Sequence, residues 1–222
     1  MNRTPRAIAV IIPARNEQDT IAECVRSVRA AASQLPTDVS FAVLVVADAC
    51  TDSTARRAAH GGAFTLPING SNVGRARAVG TEAMLRRWGS NGVWIACTDA
   101  DSVVPLNWLV AQLEAAASGW DAVAGTVRIA DENLHDAFER HYRPVAGHSH
   151  AHGANLGVRA DAYLRVGGFP PLATGEDAGL LTRLHRRNFR ILATVEEPVR
   201  TSARLHGRAP AGFAENLRSL AP

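Results

Sequence analysis

Asp99 and Asp101, separated only by Ala100, are the residues of this 222-residue chain best suited to hold a divalent cation. Alternate residues leaving a strand turn to the same side, so two carboxylates can face one ion while Ala100 keeps the gap small. Carboxylate oxygens are hard ligands. With most of the coordination sphere left open, they suit Mg²⁺ or Mn²⁺ bridging a diphosphate. Such an ion neutralises charge on a departing diphosphate and lowers the barrier to bond cleavage. A D-x-D string alone is common in turns, and its position directly after the apolar run Val93–Cys97 is what singles this one out.

Carboxylates follow two other apolar runs: Glu17 in Pro13-Ala14-Arg15-Asn16-Glu17, and Asp48 and Asp52 in Ala47-Asp48-Ala49-Cys50-Thr51-Asp52. A lone Asp in such a place is ordinarily a turn former or an N-cap, and Asp52-Ser53 fits that reading. Glu176-Asp177 opens a helical stretch, where the helix dipole ordinarily stabilises carboxylates as anions. A proton acceptor there needs a raised pKa, which burial or the neighbouring acid would have to supply. His148, His150 and His152 alternate and would share one face of an extended segment. Zinc is one reading of that cluster, and solvent or co-substrate contact is the favoured one. Cys24, Cys50 and Cys97 show no C-x-x-C spacing and are expected to be buried free thiols.

These residues need a scaffold that brings strand ends together, and the hydrophobic pattern supplies it. Short continuous apolar runs alternating with helical patterns indicate a parallel sheet covered on both faces. Strands are expected at Ala7–Ile12, Phe41–Val46, Ala63–Leu66 and Val93–Cys97. Helices are expected between them, the first with Asn16 as N-cap, the next over Thr51–His60, and another opening at Pro105. In the second half Ala122–Ile129 and Ala154–Val158 read as strands, Glu176–Arg187 as a helix, and Phe189–Ala193 and Val199–Ala203 as closing strands. Ligands of open α/β sheets bind beyond the carboxyl ends of the strands, where all three charged loops fall.

A hydrophobic content of 46% and a charged content of 20% are globular, and the chain reads as one domain over 1–222. About 7–103 would bind the nucleotide and about 104–222 would shape a co-substrate pocket. All 24 basic residues are arginine, which grips phosphate bidentately, although compositional bias alone explains the missing lysine. The arginines are scattered and aromatics make up 5%, which argues against nucleic acid as a partner. Ala7–Ile12 is too short for a signal core or a span, so no integral membrane segment and a cytoplasmic location are expected. The Pro13–Glu17 loop has no glycine, so neither the phosphate loop of nucleotidyl transfer nor a G-x-G-x-x-G dinucleotide site follows the first strand.

The ordered motifs resemble those of the family 2 glycosyltransferases. Ile11–Glu17 resembles the family's N-terminal strand and loop, and Val45–Thr54 its base-binding segment, with Ala47 where many members carry an aspartate. Asn72-Val73-Gly74-Arg75-Ala76-Arg77-Ala78 is similar to the N-x-G-x-x-x-A helix start, and Thr98–Asp101 to the metal motif. Gly153–Arg159 with Val166-Gly167-Gly168-Phe169 resembles the acceptor-side segment, and Gly175-Glu176-Asp177 the E-D motif.

That resemblance implies a GT-A α/β fold, with a Rossmann-like nucleotide-binding half, a mixed acceptor-binding half and a central, mostly parallel sheet. It implies a hexosyltransferase moving a sugar from a nucleoside diphosphate sugar to an acceptor hydroxyl, with inversion if Asp177 is the general base. Glu176 would assist at the catalytic position. Pro13, Ala14, Arg15, Glu17, Asp48, Asn72, Gly74, Arg77, Asp99 and Ala100 would line the donor. Asp101 and the late His206 would ligate Mg²⁺ or Mn²⁺, and His152, Gly153, Ala154 and Asn155 would face the acceptor. The Q-x-x-R-W motif of processive synthases is absent, so a single transfer is expected. A retaining GT-A transferase, a non-catalytic sugar-nucleotide-binding module of a biosynthetic complex, and a homodimeric assembly stay open.

Overall fold

The computed structural model describes residues 4–129, 138, 140–204 and 217–218. The first half alternates strand and helix: β1 (Ala7–Ala14), α1 (Ile21–Ala32), β2 (Ser40–Asp48), α2 (Thr54–His60), β3 (Phe64–Ile68), α3 (Val73–Trp88), β4 (Val93–Cys97) and α4 (Trp108–Ala117). The second half holds the short strands β5 (Ala122–Ala124) and β6 (Val127–Ile129), and a 3₁₀ turn at Gly153–Asn155. It continues with β7 (Leu156–Arg159), α5 (Ala160–Arg165), α6 (Glu176–Arg186), β8 (Ile191–Ala193) and β9 (Val199–Thr201).

Seven strands form one sheet in the order β3-β2-β1-β4-β7-β5-β8, and β6 pairs with β9 in a second, two-stranded sheet. Strands β1 to β4 run parallel, while β7 is antiparallel to both β4 and β5. Both sheet faces are buried, as the unbroken apolar runs require. Ile8, Val10 and Ile12 face α1 and α4 with Val43, Val45 and Trp94, whereas Ala9 and Ile11 face the opposite core with Leu44, Val46 and Ile95. Each fully buried isoleucine contributes roughly 1.5–3 kcal/mol of hydrophobic stabilisation.

Four local expectations are revised. Asn16 does not cap the first helix: it adopts φ 53° and its Oδ1 accepts the Thr51 N–H at 2.8 Å, so α1 starts after Thr20. The next helix starts at Thr54 because Asp52 Oδ1 accepts the Thr54 N–H at 2.9 Å. Pro105 forms a turn with Trp108 and is not the first helical residue. The run 122–129 breaks at Gly125 into strands of different sheets, because the Asn155 side chain crosses there and any Cβ on residue 125 would collide with it. No described helix is long and apolar enough to cross a membrane.

Candidate active site

With β1 between β2 and β4, the loops that follow these three strands lie side by side at one rim of the sheet. The first two are laced together. The Glu17 N–H donates to Thr54 Oγ1 at 2.7 Å, the Gln18 N–H to Asp52 Oδ2 at 3.2 Å, and the Ser53 N–H to Gln18 Oε1 at 3.2 Å. The Cys50 thiol, on the same loop, donates to the Ala14 carbonyl at 3.3 Å. Hydrogen bonds also hold the Asp52 carboxyl below its usual range, although partial burial opposes them as the largest single influence. Arg15 projects from this pinned platform and is exposed, whereas Ala14 is buried and can offer only backbone.

Asp48 is buried, and its carboxylate accepts three backbone N–H groups: Gly70 at 2.6 Å, Ser71 at 2.8 Å and Asn72 at 2.8 Å. It organises the loop into α3 rather than presenting free oxygens to a ligand. Asn72 caps that helix by accepting the Arg75 N–H at 2.8 Å, and Gly74 lies against the 170–172 backbone, donating to Leu172 O at 3.0 Å. These three expected donor contacts are therefore committed to building the loop.

Arg77, also expected on the donor, is 2% exposed. Its guanidinium reaches Asp99 through Nη2 and Glu176 through Nη1, tying the end of β4 to the start of α6. Burial works against the cation, but the two carboxylates outweigh it and raise the Arg77 pKa. Burial likewise pushes the Glu176 carboxyl up, against the pull of Arg77. Glu176 is thus the buried partner of Arg77.

The antiparallel course of β7 accounts for the rest of the site. Its first residue, Leu156, pairs with Cys97, the last residue of β4, so the turn before β7 returns to the same rim. There the Gly153 N–H donates to Asp177 Oδ2 at 2.7 Å, while Oδ1 accepts the Ala178 N–H at 2.7 Å. Gly153 packs directly on the Arg77 guanidinium, where a Cβ would collide. Asn155 was expected at the acceptor but points into the core. Its Oδ1 accepts Trp108 Nε1–H at 2.8 Å, and its Nδ2 donates to the Thr126 and Glu197 carbonyls at 2.9 and 3.1 Å. Ala154 is buried beside it.

The three alternating histidines form a ring cluster with Tyr142, which meets His150 at a tilt and His152 edge-on. Tyr142 lies 4.8 Å from His150 and 5.4 Å from His152 between ring centroids, and its hydroxyl is 2.8 Å from His152 Nε2. Burial lowers the His152 pKa to about 4, against the attraction of Asp177, so the ring is neutral at neutral pH. Tyr142 carried no signal in its local sequence.

On the metal side, the Asp99 side chain is 37% exposed and that of Asp101 11%. Burial raises the Asp101 pKa to about 6; Arg204 opposes the rise, and Asp99 and Glu17 reinforce it. Arg204, which sequence reasoning missed, bridges Glu17 and Asp101, with Nη1 2.7 Å from Glu17 Oε1 and Nη2 3.1 Å from Asp101 Oδ2. Ala100 is buried between the two aspartates. Among the described residues no group of three His, Cys, Asp or Glu converges as a ready-made metal cage, and His206 lies outside the described residues.

The family model described as Glycosyl transferase family 2 matches residues 9–163, more than half of the chain. No curated protein matches by sequence. Among solved structures, TarS 1-349 of S. aureus in complex with UDP-GlcNAc superposes with a TM-score of 0.71 at 16% identity, covering 96% of this chain and 64% of that one. The mannosyltransferase PcManGT from Pyrobaculum calidifontis, in complex with GDP-Man and Mn2+, gives 0.69 at 22% identity, covering 92% of this chain and 59% of that one. The M. tuberculosis glucosyl-3-phosphoglycerate synthase gives 0.61 at 18% identity, covering 97% and 76%. The chain thus spans less than two thirds of the first two proteins, and at these identities the likeness is one of fold.

Proposed function

The chain belongs to glycosyl transferase family 2 and has the GT-A fold, and we propose that it transfers a sugar from a nucleoside diphosphate sugar to an acceptor hydroxyl with inversion. The observation that carries this reading is the convergence on one rim of an aspartate pair for the diphosphate side, Asp99 and Asp101, and a hydrogen-bonded aspartate, Asp177. Arg77 links the two sides through Asp99 and Glu176.

Asp177 Oδ2 takes the proton of the acceptor hydroxyl as that oxygen attacks the anomeric carbon. The bond from that carbon to the diphosphate breaks, and its electron pair leaves on the phosphate oxygen. The Gly153 N–H fixes the orientation of the carboxylate throughout. Arg77 positions the machinery without touching substrate: it holds Asp99 at one end and the first turn of α6, which carries Asp177, at the other.

The residues present fit a divalent cation. The donors are hard carboxylate oxygens, with the Asp99 side chain 37% exposed at the rim and Asp101, two residues on, more deeply set beside it. Asp101 with Asp99 would hold Mg²⁺ or Mn²⁺, with His206 as the proposed further ligand, and the ion would neutralise the leaving diphosphate. On the donor side Arg15 and the Pro13–Ala14 backbone contact the nucleotide, and Asp48, Asn72 and Gly74 act by shaping the loop beneath it. His152, Gly153 and Ala154 border the acceptor, and the donor and acceptor halves divide near residue 103.

Calorimetry with UDP, GDP and dTDP, with and without Mn²⁺, tests the first half of the reading, and binding that ignores metal overturns it. A donor panel with Asp177→Asn tests the second. Turnover should fall by about 10²–10⁴-fold with donor affinity kept; an unaffected rate removes Asp177 as the base.

A further inference from the structure

Arg204 is brought to Asp101 by a built anchor. The strand before it, β9, is laced to the residues that immediately follow Asp101. The Val103 N–H donates to Arg200 O at 2.7 Å, the Arg200 N–H donates back to Val103 O at 3.1 Å, and Ser102 Oγ lies 3.0 Å from Thr201 Oγ1. Arg200 also pairs with Glu23 at 2.8 Å. From this anchorage the Arg204 guanidinium reaches both oxygens of Glu17, at 2.7 and 2.8 Å, and Asp101 Oδ2 at 3.1 Å.

The charge arrangement explains the contact. Glu17, Asp99, Asp101 and Glu176 are four carboxylates sharing the two guanidiniums of Arg77 and Arg204, and Arg77 is already divided between Asp99 and Glu176. Arg204 is the guanidinium that contacts both Glu17 and Asp101. A divalent ion on Asp101 supplies the same neutralisation and repels the guanidinium from that carboxylate. The two cations compete for one position.

We propose that Arg204 is the resident counter-cation of Asp101, displaced by the divalent ion and then turned, with Glu17 as its tether, onto the diphosphate of the donor. A guanidinium grips phosphate oxygens bidentately, so the released group gains a partner of the right chemistry when the nucleotide arrives. Metal alone must break the Arg204–Asp101 pair, whereas metal with nucleoside diphosphate exchanges one anion for another. The device makes metal binding weak until the donor comes with it. This inference rests on Asp101 as the metal ligand.

The test is Mn²⁺ binding to the full chain without nucleotide, followed by electron paramagnetic resonance of free Mn²⁺, for wild type, Arg204→Gln, Arg204→Lys and Asp101→Asn. UDP and GDP titrations at saturating Mn²⁺ complete it, and thermal unfolding shows each variant to be folded. Arg204→Gln should bind Mn²⁺ alone about fivefold more tightly, the scale of one partly exposed ion pair, and should bind the nucleoside diphosphate more weakly by a similar factor. Arg204→Lys, which keeps the charge, should stay nearer wild type in both. Unchanged or weaker Mn²⁺ binding by Arg204→Gln overturns the counter-cation role, and unchanged diphosphate affinity overturns the hand-over. If Asp101→Asn binds Mn²⁺ as wild type does, the metal site itself fails. If it loses Mn²⁺ while Arg204→Gln is neutral, only the role of Arg204 fails.

Discussion

The backbone N–H of Gly153 donates to Oδ2 of Asp177 at 2.7 Å. The bond crosses from the turn before β7 to the first turn of α6, and the Arg77 guanidinium lies directly beneath the glycine. A backbone donor cannot rotate away, so this contact fixes the carboxylate more firmly than a side-chain partner would. The same glycine closes the lid of the buried ion-pair network.

That network sets the first prediction. Arg77→Met leaves Glu176 as a buried, unpartnered carboxylate and should cost about 3–5 kcal/mol in urea unfolding at neutral pH. Arg77→Met combined with Glu176→Met should recover most of that loss, since no isolated charge remains buried: Asp99, also released from Arg77, has a side chain 37% exposed to water. Losses that simply add in the double variant would show that the pair is not coupled.

Asp48 accepts three backbone N–H groups of the 70–72 loop, and the nucleotide reading makes that loop the floor of the donor site. Asp48→Ala should destabilise the fold by about 2–3 kcal/mol, the scale of losing hydrogen bonds to a charged, buried acceptor, and lower nucleoside diphosphate affinity in calorimetry. Asp48→Asn, which keeps one acceptor oxygen, should fall between. A variant with full stability and weakened binding would instead make Asp48 a direct ligand of the nucleotide.

The third prediction concerns pH. Burial lowers the His152 pKa from 6.5 to about 4 in the folded chain. Between those values the unfolded chain binds a proton that the folded one refuses, so stability contributed by this residue is present above pH 6.5 and lost as pH falls toward 4. The loss amounts to roughly 3 kcal/mol over the window. His152→Gln should flatten that part of the stability profile measured by denaturant unfolding from pH 7 to 4. An identical slope in both proteins would mean that His152 titrates normally.

Much of the architecture was legible before folding was considered. Val93–Cys97 is the strand that its apolar run indicates, and the strand-helix order of the first half is as read. Boundaries failed where a side chain captured a backbone group or crossed the chain. Asp52 took the Thr54 N–H, Asn16 took that of Thr51, and Asn155 broke the run at Gly125.

The sequence by itself determined the sheet, the ordered motifs, and the charged loops at the strand ends. Continuous apolar runs must be buried on both faces, and parallel neighbours align their carboxyl ends. Only the tertiary structure decided what each polar side chain does there. Asp48 and Asn155 look like ligand contacts in the chain, yet their hydrogen bonds are spent on the loop and the core. Arg77 finds Glu176 across 99 residues and Arg204 finds Glu17 across 187. Local spacing holds no record of such pairs, because a buried charge takes its partner from whatever the fold brings within reach.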